Sequence, residues 1–266
     1  MPSGQIISSR QNARIKHLRC LARNPGRHTD WFLVEGNAAI TEAARCGWEI
    51  DSLYHTHGSR TPALQAPLFE ISESLLRSVS SLESPPGVLA VVKKRSVSSS
   101  DLRLGHCSLL LDGIQDPGNV GTLLRSAAAF GVQAVLATPG TAYFFSPKVV
   151  RGATGTLFHL QLCENVDPHA VQTLLQTQRV ELIAADSSSG EAPERLDGGK
   201  RYLLVLGHET SGVSARWSRL ATRRVRIPMA AAAESLNVAV AGSILLYELA
   251  RNRAAGPSGL KSGGPS

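Results

Sequence analysis

The chain has 266 residues, a net charge of +7 and a pI near 9.6; that length suits two domains of ordinary size, and the basic balance suits a polyanionic partner without requiring one. No apolar run approaches the ~20 residues of a membrane span, and the N-terminus lacks the apolar core of a secretion signal. The four cysteines (Cys20, Cys46, Cys107, Cys163) are scattered and form no C-x-x-C pair, so reduced thiols, no metal site and a cytoplasmic location are expected.

In chain order, Asn12–Arg23 has helical apolar spacing (Ile15, Leu18, Leu21) on a basic background of Arg10, Arg14, Lys16, Arg19 and Arg23. Strand WFLVEG (31–36) follows, then an alanine-rich helix, Asn37–Cys46. IDSLYHT and LFEIS read as strands, SESLLRSVSS as a helix and GVLAVVKK as a last strand. Alternating β and α favours a small α/β sandwich. His55 and His57 alternate on a strand, with no acidic or thiol neighbour that would make a metal site. The polar, serine-rich stretch Lys93–Gly105 reads as a linker.

Beyond it, Leu109–Leu111 is a buried strand, Asp112–Gly118 a turn-rich loop, Val120–Phe130 a helix and Val132–Ala137 a strand. This is the βαβ signature of a parallel sheet. Asn119 lies where the helix begins and Arg125 about two turns in. Tyr202–Leu206 is a further buried strand; Gly207, Glu209 and Gly212 punctuate the polar loop after it. A strand end, VRIP, leads through a small-residue loop to Ser235-Leu236-Asn237. An apolar helix follows, with Val238, Ala241, Ile244, Leu245 and Leu249 at helical spacing. Ser235 and Asn237 sit where short polar side chains cap free N–H groups. Loops at the carboxyl ends of parallel strands are where open α/β sheets bind ligands.

Three segments in this order, DPGNVGTLLRSAAAFG (116–131), LGHETSG (206–212) and IPM…SLNVAVA (227–229 and 235–241), resemble the SpoU family of S-adenosylmethionine (AdoMet)-dependent RNA 2′-O-ribose methyltransferases. SPKVVRGATGTLFHLQL (146–162) is a fourth family-like segment. FLVEGNAAITEAARCGWEIDSLYHT (32–56) resembles the ribosomal-protein-like substrate-binding domain that many SpoU enzymes carry. The resemblance implies an α/β SPOUT domain with a parallel sheet and a deep trefoil knot at 106–254. It also implies a small N-terminal α/β RNA-binding domain at 1–95; composition sets a linker at 96–105 and a glycine- and serine-rich tail at 255–266 that is expected to be disordered.

Carried over residue by residue, it places Gly207, Ile227, Met229, Leu236 and Asn237 at the cofactor, AdoMet, with Gly207 letting the backbone approach a ligand closely. Arg125, Asn119, Glu209, Ser235 and Asn237 become the catalytic set. Arg125 is either the base for the ribose 2′-OH or a group that binds the neighbouring phosphate and stabilises the developing alkoxide. Arg14, Lys16, Arg19 and Arg151 become candidate RNA contacts. The implied partners are RNA (rRNA preferred, tRNA second) and a second copy of the chain in a homodimer, with no membrane and no metal. A non-catalytic RNA-binding or assembly factor on the same fold is the alternative. Many family members place glycine where this chain has Ala230–Ala233, which leaves cofactor affinity open.

Overall fold

The computed structural model describes residues 5–23, 30–230 and 235–255. The alanines at 231–233 and the expected tail from 256 onward lie outside the described residues. The elements in chain order are β1 (Gln5–Ile7), α1 (Ala13–Arg23), β2 (Trp31–Glu35), α2 (Asn37–Arg45), β3 (Ile50–His55), β4 (Leu68–Ile71), α3 (Glu73–Val79) and β5 (Val88–Lys93). They continue as β6 (Cys107–Asp112), α4 (Pro117–Ala129), β7 (Ala134–Ala137), α5 (Pro147–Gly152), a 3-10 turn (Thr156–His159), β8 (Gln161–Cys163), α6 (Pro168–Gln178) and β9 (Glu181–Ala185). After a second 3-10 turn (Pro193–Arg195), β10 (Tyr202–Gly207), α7 (Ala215–Leu220), β11 (Arg223–Val225) and α8 (Val238–Ala255) complete the chain. Two compact units result: one joins 1–95 with 143–159, the other 96–142 with 160–266.

The first unit is a mixed five-stranded sheet, order β1-β4-β3-β5-β2, with β5 antiparallel to β2 and β3. Side chains alternate across a strand, so β2 and β5 each feed two cores. Leu33, Leu89 and Val91 join Ile15, Leu18 and Leu21 of α1 and Leu75, Leu76 and Val79 of α3. Phe32, one position over, packs with Trp48, Phe145 and Phe158, centroids 4.9–6.5 Å away. Both faces are covered, which is why VLAVV in β5 is a continuous apolar run. The short edge strand β1 escapes a periodicity argument.

The second unit is a six-stranded, all-parallel sheet, order β11-β9-β10-β6-β7-β8. β10 lies between β6 and β9, both of which precede it in the chain. One face is packed by α6 and Trp217 of α7. Leu102 and Leu104, within the stretch expected as a linker, are buried in this core, and Ser96 bridges to Leu162. Across the sheet, α4 and α8 lie side by side, joined by a 2.7 Å Ser126–Ser243 hydroxyl hydrogen bond. Gly242 permits the close approach: a Cβ there would fall 2.5 Å from both Leu123 and Leu206 side chains. Ile244, expected on the inner stripe, is instead exposed, while Leu245, Leu246 and Leu249 are buried. α4 begins three residues before the expected start, because Pro117 suits the first turn and the Asp116 carboxylate accepts from the Asn119 N–H at 2.8 Å.

Candidate active site

Loops at the carboxyl ends of β9, β10 and β11 converge on one pocket with the start of α8. Its apolar lining comes from Leu206, Val225, Ile227, Met229, Leu236, Val238 and Leu245; its polar lining includes Asp186, Ser187, Glu209 and Ser235. Gly207 also lines it, and the fold adds a second reason for its lack of a side chain. The loop after β10 folds back as a tight hairpin, His208 and Gly212 exchanging backbone hydrogen bonds of 3.0 and 2.9 Å. A Cβ on Gly207 would lie 2.1 Å from the Gly212 and Val213 backbone. The close approach is made by the chain itself.

Beside the pocket, three side chains from three segments form a hydrogen-bonded row. Asn237 Oδ1 caps α8, accepting from the Ala239 and Val240 N–H groups at 2.9 and 3.3 Å. That commits Asn237 Nδ2 outward, where it donates to Asn119 Oδ1 at 3.1 Å. Asn119 Nδ2 then donates to Glu209 Oε1 at 2.9 Å. Each amide is thereby oriented by its neighbour, and the Glu209 carboxylate ends the row facing solvent.

Two further carboxylates, which sequence reasoning missed, hold the loops. Asp112, buried at the end of β6, accepts from Thr138 Oγ1 at 3.0 Å and from the Ser214 N–H at 2.8 Å. Asp186, after β9, accepts from the N–H and hydroxyl groups of Ser188 and Ser189 and from Arg224 at 3.1 Å. Burial raises its pKa, but the Ser188 and Ser189 hydrogen bonds outweigh burial and hold it well below the usual carboxylate range. The signal was present as an apolar run, LIAA, followed by D-S-S-S-G turn chemistry.

Of the expected residues, Gly207, Glu209, Ile227, Met229, Ser235 and Leu236 line the pocket, and Asn119 and Asn237 adjoin it through Glu209. Arg125 does not line it. It is exposed on α4, six positions after Asn119 and so about 120° away around the helix. Arg14, Lys16, Arg19 and Arg151 belong to the first unit. Arg14 stacks over Phe69 at 4.2 Å, Arg19 donates to Ser78 Oγ at 2.9 and 3.2 Å, and Arg151 donates to Ser81 Oγ at 2.7 Å; Lys16 is exposed. His57, which had no evident acidic partner in sequence, lies 3.2 Å from Glu70 Oε1.

An all-parallel sheet with a pocket at its strand ends defines an α/β ligand-binding domain. Residues 106–247 match the SpoU rRNA Methylase family, and residues 12–90 match the MRM3-like substrate binding domain. The chain belongs to the SpoU rRNA methylase family.

Its relatives include the Bacillus subtilis 23S rRNA (guanosine(2553)-2′-O)-methyltransferase RlmP, 30% identical over 91% of this chain and 98% of that protein. The Streptomyces viridochromogenes 23S rRNA (uridine(2479)-2′-O)-methyltransferase is 31% identical over 96% of this chain and 95% of its own length. Among solved structures, SpoU methyltransferase AviRb from Streptomyces viridochromogenes, in complex with AdoMet, superposes with a TM-score of 0.83 at 30% identity. The match covers 92% of this chain and 100% of that one.

Proposed function

We propose that this protein transfers a methyl group from AdoMet to a ribose 2′-OH in large-subunit ribosomal RNA. The observation that carries the reading is the Asn237–Asn119–Glu209 row set beside a largely apolar pocket at the strand ends. The pocket's chemistry fits the cofactor: Ile227 and Leu236 offer apolar faces for an adenine, while Asp186, Ser187, Glu209 and Ser235 offer polar atoms for hydroxyl and ammonium groups. Bound AdoMet supplies a methyl group on a sulfonium. Asn119 and Glu209 hold and orient the ribose hydroxyl; Ser235 and Asn237 close the site. We assign Arg125 to the adjacent phosphate and the developing alkoxide, since a guanidinium is a poor base near neutral pH but a strong fixed charge. Alignment of hydroxyl and methyl carries much of the acceleration.

Gly207 and Met229 complete the cofactor side, and the trefoil threading expected from the family belongs to this proposal. So do the two-domain division, with the N-terminal domain contacting RNA through Arg14, Lys16, Arg19 and Arg151, and a cytoplasmic location in keeping with the bacterial rRNA-modifying relatives. The net charge of +7 supports a phosphate-rich partner. A homodimer is part of the reading. Val240, Ile244 and Tyr247 form an apolar stripe along α8, 48%, 36% and 49% exposed, and a second copy packed on it would cover that stripe. Among the described residues, no helix is long and apolar enough to cross a membrane.

The test is incubation with methyl-labelled AdoMet and RNA from cells lacking this protein, followed by separation of rRNA and tRNA. Label in rRNA, alkali-resistant at one dinucleotide, is expected. Label in tRNA would move the substrate, and cofactor binding without label in any RNA would favour the non-catalytic reading.

A further inference from the structure

Sequence spacing gave no metal motif, yet the fold of the first unit brings three different donor groups together. Glu42 stands on the last turn of α2, Cys46 caps that helix, and His159 ends the 3-10 turn Thr156–His159, 113 residues from Cys46. His159 Nε2 lies 2.7 Å from Glu42 Oε1. Cys46 Sγ lies 3.6 and 3.7 Å from the two ring nitrogens and 3.9 Å from Glu42 Oε1. Metal–ligand bonds of about 2.0–2.3 Å at tetrahedral angles place donor atoms roughly 3.3–3.6 Å apart. The sulfur–nitrogen separations lie near that range; the Glu42–His159 hydrogen bond would open by roughly 0.6 Å and the imidazole turn its lone pair toward the sulfur to admit an ion.

We propose that Glu42, Cys46 and His159 form a binding site for a borderline-soft divalent cation such as zinc, independent of the methyl-transfer reading. One sulfur, one imidazole nitrogen and one carboxylate oxygen are donors zinc accepts, whereas magnesium and calcium prefer all-oxygen shells. His159 is half exposed, with 53% of its side chain accessible, which leaves room for a water as fourth ligand.

The scaffold around the donors is fixed before any ion arrives. Arg45 donates to Glu42 Oε2 at 3.0 Å, which turns Oε1 toward His159 and Cys46. Arg95 donates to the Cys46 and Gly47 carbonyls, closing the end of α2. Trp48 Nε1 donates to the Phe158 carbonyl at 3.0 Å, and the two rings meet edge to face at 5.2 Å. The turn into His159 depends on Thr154 and Gly155 in left-handed conformations, φ 47° and 85°. Donors held on packed elements are the condition for a preformed site. Binding releases the thiol proton to solvent and forms a metal–sulfur bond, with no change of oxidation state. The ion would tie the Tyr143–His159 segment to α2 within this unit.

The experiment uses the full chain, reduced with a phosphine, and Co²⁺ as the spectroscopic probe. A thiolate-to-cobalt charge-transfer band saturating at one equivalent is expected, abolished by Cys46→Ser and displaced by Zn²⁺. Glu42→Gln and His159→Ala should weaken cobalt binding by about 10–100-fold. Stoichiometric Zn²⁺ should also slow alkylation of Cys46 while leaving the exposed Cys20 unaffected, an internal control in the same folded molecule. Absence of the band, its persistence in Cys46→Ser, or equal alkylation with and without Zn²⁺ would overturn the site and leave a Glu42–His159 ion pair beside a thiol.

Discussion

Asn119 Nδ2 donates to Glu209 Oε1 at 2.9 Å, while the Oδ1 of the same amide accepts from Asn237 at 3.1 Å. One side chain on α4 thus joins the loop after β10 to the cap of α8. The amide carries a donor on one side and an acceptor on the other, which a carboxylate cannot offer.

Asn119→Asp should therefore be more harmful than Asn119→Ala. The aspartate sets one carboxylate against Glu209 and removes the donor, whereas alanine only leaves two exposed groups to water. We expect methyl transfer to fall about 10²–10³-fold in the aspartate variant, the range seen when a positioning donor is lost, with AdoMet affinity nearly unchanged. Single-turnover rates and calorimetric AdoMet titration, run on both variants, check the order.

Gly207→Ala should destabilise the fold even before the cofactor is considered. Its Cβ would overlap the Gly212 and Val213 backbone, 2.1 Å away, so the His208–Gly212 hairpin must open. A loss of about 3 kcal/mol or more is expected, the upper range of overpacking costs. Thermal unfolding without AdoMet should show the drop; a variant as stable as the wild type would refute the steric account.

Asp186 sets a pH expectation. Its folded pKa lies below the unfolded one, because the Ser188 and Ser189 hydrogen bonds outweigh burial. The stability it contributes is then complete above the ordinary carboxylate pKa of about 4 and is lost as pH falls below that toward the folded value. AdoMet affinity should show no break attributable to this group between about pH 5 and 8. Asp186→Asn should weaken AdoMet binding about tenfold across that whole range, matching one lost charge-assisted hydrogen bond. Equilibrium binding at several pH values decides; a wild-type affinity that collapses near pH 6 in step with loss of this loop would count against it.

Burial pushes the Cys107 thiol up to about 12, so at neutral pH it carries almost no thiolate. Mass-mapped alkylation of the native protein should label Cys20 first and leave Cys107 unmodified until the chain is unfolded. Early Cys107 labelling would mean that β6 opens locally.

Much of this fold was legible because apolar periodicity tracks burial. Ile15, Leu18 and Leu21 were readable as one face of α1 and are all buried; the apolar runs at Leu109–Leu111 and Tyr202–Leu206 lie inside β6 and β10, the centre of a parallel sheet covered on both faces. What escaped depends on distant partners. Leu102 and Leu104 sit in a polar, serine-rich stretch, so nothing local announced that they anchor a core. Ile244 fitted the helical stripe but faces outward, because α8 is apolar on nearly all sides and periodicity then loses its direction. At the site, Asn237 was readable as a cap, but its second hydrogen bond spans 118 positions. Glycine at 207 was readable as a place of close approach, but its fit against the hairpin backbone shows only in the folded loop. Asp186 had turn chemistry around it, but its place on the pocket follows from β9 lying next to β10.

The most direct test of the central claim is site-mapped methylation of 23S rRNA by the purified chain with AdoMet, comparing wild type with Arg125→Ala. The account predicts one alkali-resistant 2′-O-methyl nucleotide with the wild type and at least about a 10²-fold slower rate in the variant, with AdoMet binding intact in both. Wild-type protein that binds AdoMet but methylates no ribose, or an Arg125→Ala variant as fast as wild type, would contradict it.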